Sequence, residues 1–270
     1  MDIQAQFVAA RFAEGNPVQI INRNIVGELQ KEYPDIALGD MTLMNAVSRI
    51  YHETGSQFVM IFDEWDYPIR ELAECNRERS DYIEFLRGLF KSSDAKEYIR
   101  LAYLTGIMPI VRIKGQSAVN NFVEYTMTNP MDLAQDIGFT EEEVFSLCEK
   151  FGVDFEQMKA WYYGYNLDGI AMYNPLSVVR AISAKRFQQY WTVTGTYGDI
   201  DDLIGKNFDV LREDIIRTFS GNRIPVNVSN GKNDLQTFKN KSEVITALIH
   251  LGYLAYDADT REAYVPNKEI

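Results

Sequence analysis

Cysteine and histidine each occur only twice in 270 residues, as Cys75, Cys148, His52 and His250. Two thiols cannot build a disulfide framework or an all-cysteine zinc site. Two imidazoles exclude His-rich metal centres and speak against most Ser-His-Asp triads. Long apolar runs are missing as well: no window of about 18 apolar residues exists, which excludes a transmembrane helix. The opening Met1-Asp2-Ile3-Gln4-Ala5-Gln6 has no basic region and no apolar stretch behind it, so no signal peptide is read there. Basic side chains are in deficit, 27 against 39 acidic, for a formal net charge of −12. That deficit argues against wrapping nucleic acid or lying on an anionic membrane, since both need basic surface. A cytoplasmic protein with reduced thiols is expected.

What remains is an ordinary globular composition, 46% hydrophobic and 24% charged, enough for one large domain or an ordinary one plus a small one. Its chemistry is confined to carboxylates, hydroxyls, arginines and many aromatics. Residues 205–270 hold nine side chains of each sign, so the whole acidic excess lies in residues 1–204. This shift, with the turn-rich stretch from Gly195 to Gly205, suggests a boundary near residue 205.

The first part alternates strand and helix signals. Ile3 to Ala9 reads as a short strand, and Gln19 to Tyr33 as a helix with Ile20, Ile21, Ile25 and Leu29 on one side. Thr42 to Glu53 repeats the helical pattern. Phe58-Val59-Met60-Ile61-Phe62 is an unbroken apolar run ending in two carboxylates, the pattern of a strand buried on both faces. Ser80 to Ser92 reads as a helix, and Leu101 to Thr105 as a second buried strand stopped by Gly106. Strand, helix and strand at this spacing predict a parallel sheet. A third short strand is expected around Val123 to Met127.

Beyond it, Phe139-Thr140-Glu141-Glu142-Glu143-Val144 carries a capping box and a hydrophobic staple. That gives the acidic triplet a structural role, with acid at the positive end of a helix. Met158, Trp161, Tyr162 and Tyr165 fit one face at a helix end. At the end of the chain, Ser242 to Leu251 reads as a helix closed by Gly252. Tyr253 to Tyr256 and Glu262 to Pro266 flank a turn as a hairpin. Helix then hairpin is the pattern of a winged-helix module, but a charge-neutral one, which favours packing over DNA binding.

The strongest chemical signal is Phe58 to Glu64. Open parallel sheets bind ligands beyond the carboxyl ends of their strands, and two acids there are costly unless they meet a cation or polar ligand. The arrangement is that of a Walker B element, with Asp63 holding Mg²⁺ through water and Glu64 polarising the water that attacks a γ-phosphate. Taken alone, it is equally a strand ending in a solvated Asp-Glu turn. Thr105 ends the next strand, where a sensor hydroxyl would face the phosphate, or where a threonine would bond its own backbone before Gly106. Arg112 and Lys114 follow in the adjacent loop, within reach of a phosphate.

With these pieces the chain resembles the bacterial AAA-ATPase-like family of P-loop proteins, a group often found with a nuclease-like domain at the C-terminus. The resemblance is carried by Phe62-Asp63-Glu64-Trp65-Asp66-Tyr67-Pro68, Leu104-Thr105-Gly106-Ile107-Met108-Pro109-Ile110, Ser117-Ala118-Val119-Asn120-Asn121-Phe122 and Gly138 to Val144. Trp161-Tyr162-Tyr163-Gly164-Tyr165, Tyr173-Asn174-Pro175-Leu176-Ser177-Val178 and Val265-Pro266-Asn267-Lys268-Glu269-Ile270 complete it. It implies an α/β, P-loop NTPase-like parallel sheet flanked by helices over residues 1–135, a helical lid over 136–204 and a winged-helix-like end over 205–270. It also implies Mg²⁺ and ATP as the parent family's ligands, Asp63 as the metal-site acid, Glu64 and Thr105 as catalytic base and sensor, and Arg112 and Tyr165 on the nucleotide side.

One departure outweighs the matches. The family carries a glycine-rich phosphate loop ahead of the Walker B strand. Here Gly-Lys occurs only at Gly205-Lys206 and Gly231-Lys232, neither followed by Ser or Thr and neither preceded by a glycine at the required spacing. The first strand and the phosphate loop are therefore expected to be absent, with Met1 near the strand that follows them in the family. The expected function is that of a fragment whose parent binds and hydrolyses ATP as a regulatory switch, while these 270 residues bind no nucleotide tightly. The alternative is a protein-interaction module that has lost nucleotide binding. A protein partner or the missing N- and C-terminal domains would be the partners.

Overall fold

The computed structural model describes residues 1–71, 76–107, 121–191, 211–228, 238 and 240–270. The chain forms two compact units, Met1–Val123 and Glu124–Ile270.

The first unit is α/β. It contains α1 (Ile3–Arg11), α2 (Pro17–Glu32), α3 (Leu43–Thr54), β1 (Phe58–Phe62), α4 (Tyr67–Glu71), α5 (Asn76–Lys91), α6 (Ala95–Tyr98) and β2 (Ile99–Leu104). The expected strand at Ile3 to Ala9 is instead the helix α1. Asp2 caps it, its Oδ1 accepting from the Ala5 amide at 2.8 Å, and Ile3, Phe7 and Ala10 are buried at helical spacing. Asn16 and Thr42 cap α2 and α3 in the same way, with Pro17 in the first turn of α2.

β1 and β2 pair in parallel, Val59 opposite Leu101 and Ile61 opposite Tyr103. Their buried side, with Met60 and Phe62, joins a core built from α1, α2, α3 and α5. Phe62 meets Phe90 edge-on, and Phe90 meets Phe122 likewise, at ring distances of 5.5 and 5.2 Å. The expectation that β1 is buried on both faces is corrected. Val59 and Ile61 are 58% and 54% exposed, and Leu101 and Tyr103 opposite them 56% and 51%. The helices cover one side, and the apolar run reflects the composition of the strand rather than its surroundings. The strand expected at Val123 to Met127 is a tight turn, in which the Thr126 and Asn129 backbones exchange hydrogen bonds at 3.0 and 3.1 Å.

The second unit opens with a 3₁₀ turn, Met131–Asp136, then β3 (Phe139–Thr140), α7 (Glu141–Phe151), α8 (Phe155–Tyr162), β4 (Tyr163–Leu167), β5 (Ile170–Tyr173) and α9 (Pro175–Ala184). It continues with α10 (Leu211–Phe219), β6 (Ile224–Pro225), α11 (Lys241–His250), β7 (Ala255–Asp257) and β8 (Glu262–Tyr264). Two three-stranded antiparallel sheets result, in the orders β3-β5-β4 and β6-β8-β7. The capping box reads as expected: Glu143 Oε2 accepts from the Thr140 amide at 2.9 Å, and Thr140 Oγ1 accepts from the Glu143 amide at 3.3 Å. The hairpin β7–β8 also forms, its turn held by the Asp257 carboxylate, which accepts from the amides of Asp259 and Thr260.

The single helix-end face expected for Met158 to Tyr165 is corrected. Met158 and Tyr162 are fully buried one turn apart in α8. The chain then goes extended at Tyr163 to pair with Tyr173, so Tyr165 lies on β4 and packs with Leu167, Met172 and Ala255. Its hydroxyl donates to the Gly252 carbonyl at 2.8 Å, and Tyr264 donates to the Gly164 carbonyl at 3.0 Å. Residues on either side of position 205 are thereby fastened together. Among the described residues no helix is long and apolar enough to cross a membrane.

Candidate functional site

The carboxyl ends of β1 and β2 bring three of the sequence-predicted residues together. The Thr105 amide donates to the Phe62 carbonyl at 2.8 Å, and the Trp65 amide donates to the Thr105 carbonyl at 2.9 Å, so the backbone stays paired past the strand ends. That pairing sets Thr105 beside Asp63, and its Oγ1 donates to Asp63 Oδ1. On the other edge, the Asp63 amide donates to the Met1 carbonyl at 2.8 Å and the Ile3 amide to the Asp63 carbonyl at 2.9 Å. Asp63 is thus gripped from both sides while its side chain stays exposed.

Glu64 turns the chain. Its φ of +53° lies in the left-handed region that a non-glycine residue enters only at a cost of order 1 kcal/mol. The turn continues through Trp65 and Asp66 into α4, with the Tyr67 amide bonded to the Glu64 carbonyl at 3.0 Å. Arg70, one turn into α4, reaches back: Nη2 donates to Glu64 Oε2 at 2.9 Å and Nε donates to Asp66 Oδ2 at 3.1 Å. Asp66 is buried, and the Tyr82 hydroxyl donates to the Trp65 carbonyl at 2.7 Å beneath it. Burial pushes the Tyr82 phenol above its ordinary range, with the Asp66 charge adding to the effect.

Burial likewise raises Glu64 above the ordinary carboxylate range. Arg70 pulls it down, and the charges of Asp66, Asp63 and Asp2 push it up. Gly106 has no room for a side chain, since a Cβ there would lie 2.5 Å from Asp66 Oδ1. The outcome is two distinct groups, Thr105 with Asp63 and Arg70 with both Glu64 and Asp66. Of the two acids at the strand end, Glu64 pairs with Arg70 while Asp63 takes the Thr105 hydroxyl. Asp66 was the missed member, and its signal was the four-residue spacing to Arg70.

The remaining site residues stand apart from this corner. Arg112, with Lys114, lies outside the described residues. Tyr165 belongs to the second unit, 8% exposed with its hydroxyl committed. Among the described residues no three His, Cys, Asp or Glu side chains are placed to hold a metal ion by themselves. Asp63 and Thr105 offer hard oxygen donors of the kind Mg²⁺ prefers, but too few to hold it without phosphate oxygens and water.

Residues 16–114 match the model of a family described as Predicted AAA-ATPase, and this stretch contains Asp63, Glu64, Asp66, Arg70, Thr105 and Arg112. The chain is also similar to a protein of Azotobacter chroococcum mcd 1 described as an uncharacterized protein in the vnfD 5′ region. The two are 32% identical over 155 residues, which cover 56% of this chain and 29% of that protein's length. No solved structure matches the chain.

Proposed function

We propose, from the match of residues 16–114 to the predicted AAA-ATPase family, that the Asp63–Thr105 corner is the Walker B and sensor portion of an ATPase-type nucleotide site. The observation that carries this reading is the hydrogen bond from Thr105 to Asp63 across the ends of two adjacent parallel strands. A hydroxyl and a carboxylate held together there suit a metal-bound phosphate. In this reading Asp63 holds Mg²⁺ together with nucleotide phosphate, and the ion supplies neutralisation of phosphate charge. Glu64 holds a proton acceptor beside it, with a raised proton affinity appropriate to a base. Arg112 serves the phosphates in this reading, and residues 136–204 and 205–270 correspond to the family's lid and winged-helix-like segments.

The glycine-rich cradle is absent from these 270 residues, and backbone amides around the phosphates supply most nucleotide affinity in such sites. The chain as given is therefore not ATPase-competent, and its role is that of one part of a switch. The exposed apolar side of β1 and β2 supports this, since parallel sheets function with both faces covered. Calorimetric titration with Mg-ATP is the test. Binding no tighter than about millimolar is expected; micromolar affinity would overturn the assignment of the missing cradle. The same exposed face also favours a second reading, a protein-interaction module without nucleotide.

A further inference from the structure

The second unit carries its charge unevenly. Residues 141–156 hold six acidic side chains and one basic, whereas residues 169–191 hold three basic and no acidic one. Each stretch presents an exposed helix ridge. On α7, Glu142, Phe145 and Glu149 recur at spacings of three and four, which sets them on one side of the helix. All three are exposed, Phe145 by 45%. Phe145 meets Phe155 of α8 edge-on at 5.2 Å, so the ridge borders α8, where Glu156 adds a further exposed acid. On α9, Leu176, Val179 and Arg180 lie opposite the buried Ser177, Val178 and Ala181, with Leu176 37% and Val179 49% exposed. Arg186 follows, exposed, just beyond the end of that helix. Among the described residues no ion pair includes Glu142, Glu149, Glu156, Arg180 or Arg186.

We propose that the partner of these ridges is a second copy of this chain, the acidic α7 ridge of one copy lying along the basic α9 ridge of another. The two ridges share one plan, apolar side chains with charge of a single sign beside them. In the contact Phe145 meets Leu176 and Val179, while Glu142 and Glu149 meet Arg180 and Arg186. An apolar centre rimmed by complementary charge is what specific association of two proteins uses. Charge also selects a copy over other occupants. Nucleic acid or an anionic membrane drawn to Arg180 and Arg186 would meet the acids of α7 on the same unit, in a chain of net charge −12. A copy answers both signs at once. Because α7 of one copy meets α9 of the next, the contact joins unlike surfaces, and copies add on until the series closes. Only one helix face from each copy is buried, which puts the interface below about 1,200 Å² in total. Association is therefore weak, with Kd on the order of 10–100 µM, and sensitive to salt.

Sedimentation velocity on the full chain, from about 5 to about 200 µM, tests this. The weight-average mass should climb above 31.0 kDa as concentration rises, and fall back in about 0.5 M salt, where charges are screened within about 4 Å. Arg180→Glu and Glu149→Arg should each weaken association about tenfold or more. Both side chains are exposed, so the folded unit is expected to tolerate either change. An equimolar mixture of the two variants should associate within about threefold of the wild type, because each supplies the ridge that the other lacks. A variant that had lost its fold could not rescue the other. A mass fixed at 31.0 kDa over the whole range overturns the proposal. So does a mixture that associates no better than its components. Association that survives both single substitutions overturns it too, by placing the contact on another surface, such as the exposed side of β1 and β2.

Discussion

Glu64 in the first unit and Glu269 in the second are both drawn out of water at the end of a strand-bearing segment, and they are held in opposite ways. Glu64 keeps about a third of its side chain exposed and leans on a cation, Arg70, that it shares with Asp66. Glu269 is closed off and answered by amides and a hydroxyl. A shared cation with partial exposure leaves a carboxylate freer to change partners. Neutral donors in a sealed socket fix a carboxylate in one place, as a fastening requires. Burial alone does not mark a functional acid; the identity of its partners does. The same contrast appears in the two glycines that let each arrangement close, Gly106 against the Asp66 carboxylate and Gly164 against the Pro266 backbone.

Gly164 gives the sharpest way to break this comparison. Its φ of +134° and the overlap with a carbonyl leave Gly164→Ala no relaxed alternative. A loss of about 2–4 kcal/mol is expected in urea unfolding. A Gly164→Ala midpoint equal to the wild type would mean that Pro266 does not sit on β4.

His250, at the end of α11, provides a test through pH. Burial lowers its pKa from 6.5 to about 4. The unfolded chain then binds a proton that the folded chain refuses between those values, so stability falls as pH drops from about 6.5 to 4 and levels off below. The full effect is bounded at about 3 kcal/mol. Glu64 works with the opposite sign: held above its unfolded value, it takes up a proton more readily when folded, and so costs stability as pH rises through its range. Thermal melts from pH 4 to 7 should show a steep acid-side decline that flattens in His250→Leu. A decline unchanged in that variant would place its origin elsewhere.

Two substitutions separate the two acids of the first unit. Asp66→Asn removes the buried partner of Arg70 and should cost about 2–4 kcal/mol. Glu64→Gln leaves Arg70 with Asp66 and relieves a desolvated charge. Its stability at neutral pH should be unchanged or higher by up to about 1 kcal/mol. Matching losses in the two melts would show that Glu64 is as structural as its neighbour, and the difference from Glu269 would vanish.

Much of this was legible in local sequence. Thr140 and Glu143 announce their capping box because its four atoms lie within one turn, and Asp257 to Thr260 announce their hairpin for the same reason. Two apolar runs each ending in a polar group placed Asp63 and Thr105 at neighbouring strand ends, but the hydrogen bond between them is neither of the two roles expected for Thr105. Ile3 to Ala9 was misjudged because seven residues suit either periodicity. What decides is the Asp2 side chain on the Ala5 amide and the burial of Phe7 and Ala10. Tyr165 was placed on a helix because α8 carries its spacing forward, whereas Tyr163 is captured by Tyr173 from β5.

By itself, then, the sequence determined the capped start of α7, that β1 and β2 run parallel, and that carboxylates and a hydroxyl stand at their ends. Those features depend on neighbours within a few residues or on apolar runs that mark a strand. Tertiary structure alone decided that Val59, Ile61, Leu101 and Tyr103 stay exposed, and that Glu269 closes on Ser177, Tyr190 and Trp191 from 78 to 92 residues away. A carboxylate's partner at such a distance leaves no periodic trace in the chain, because it depends on how whole elements pack and not on the spacing within any one of them.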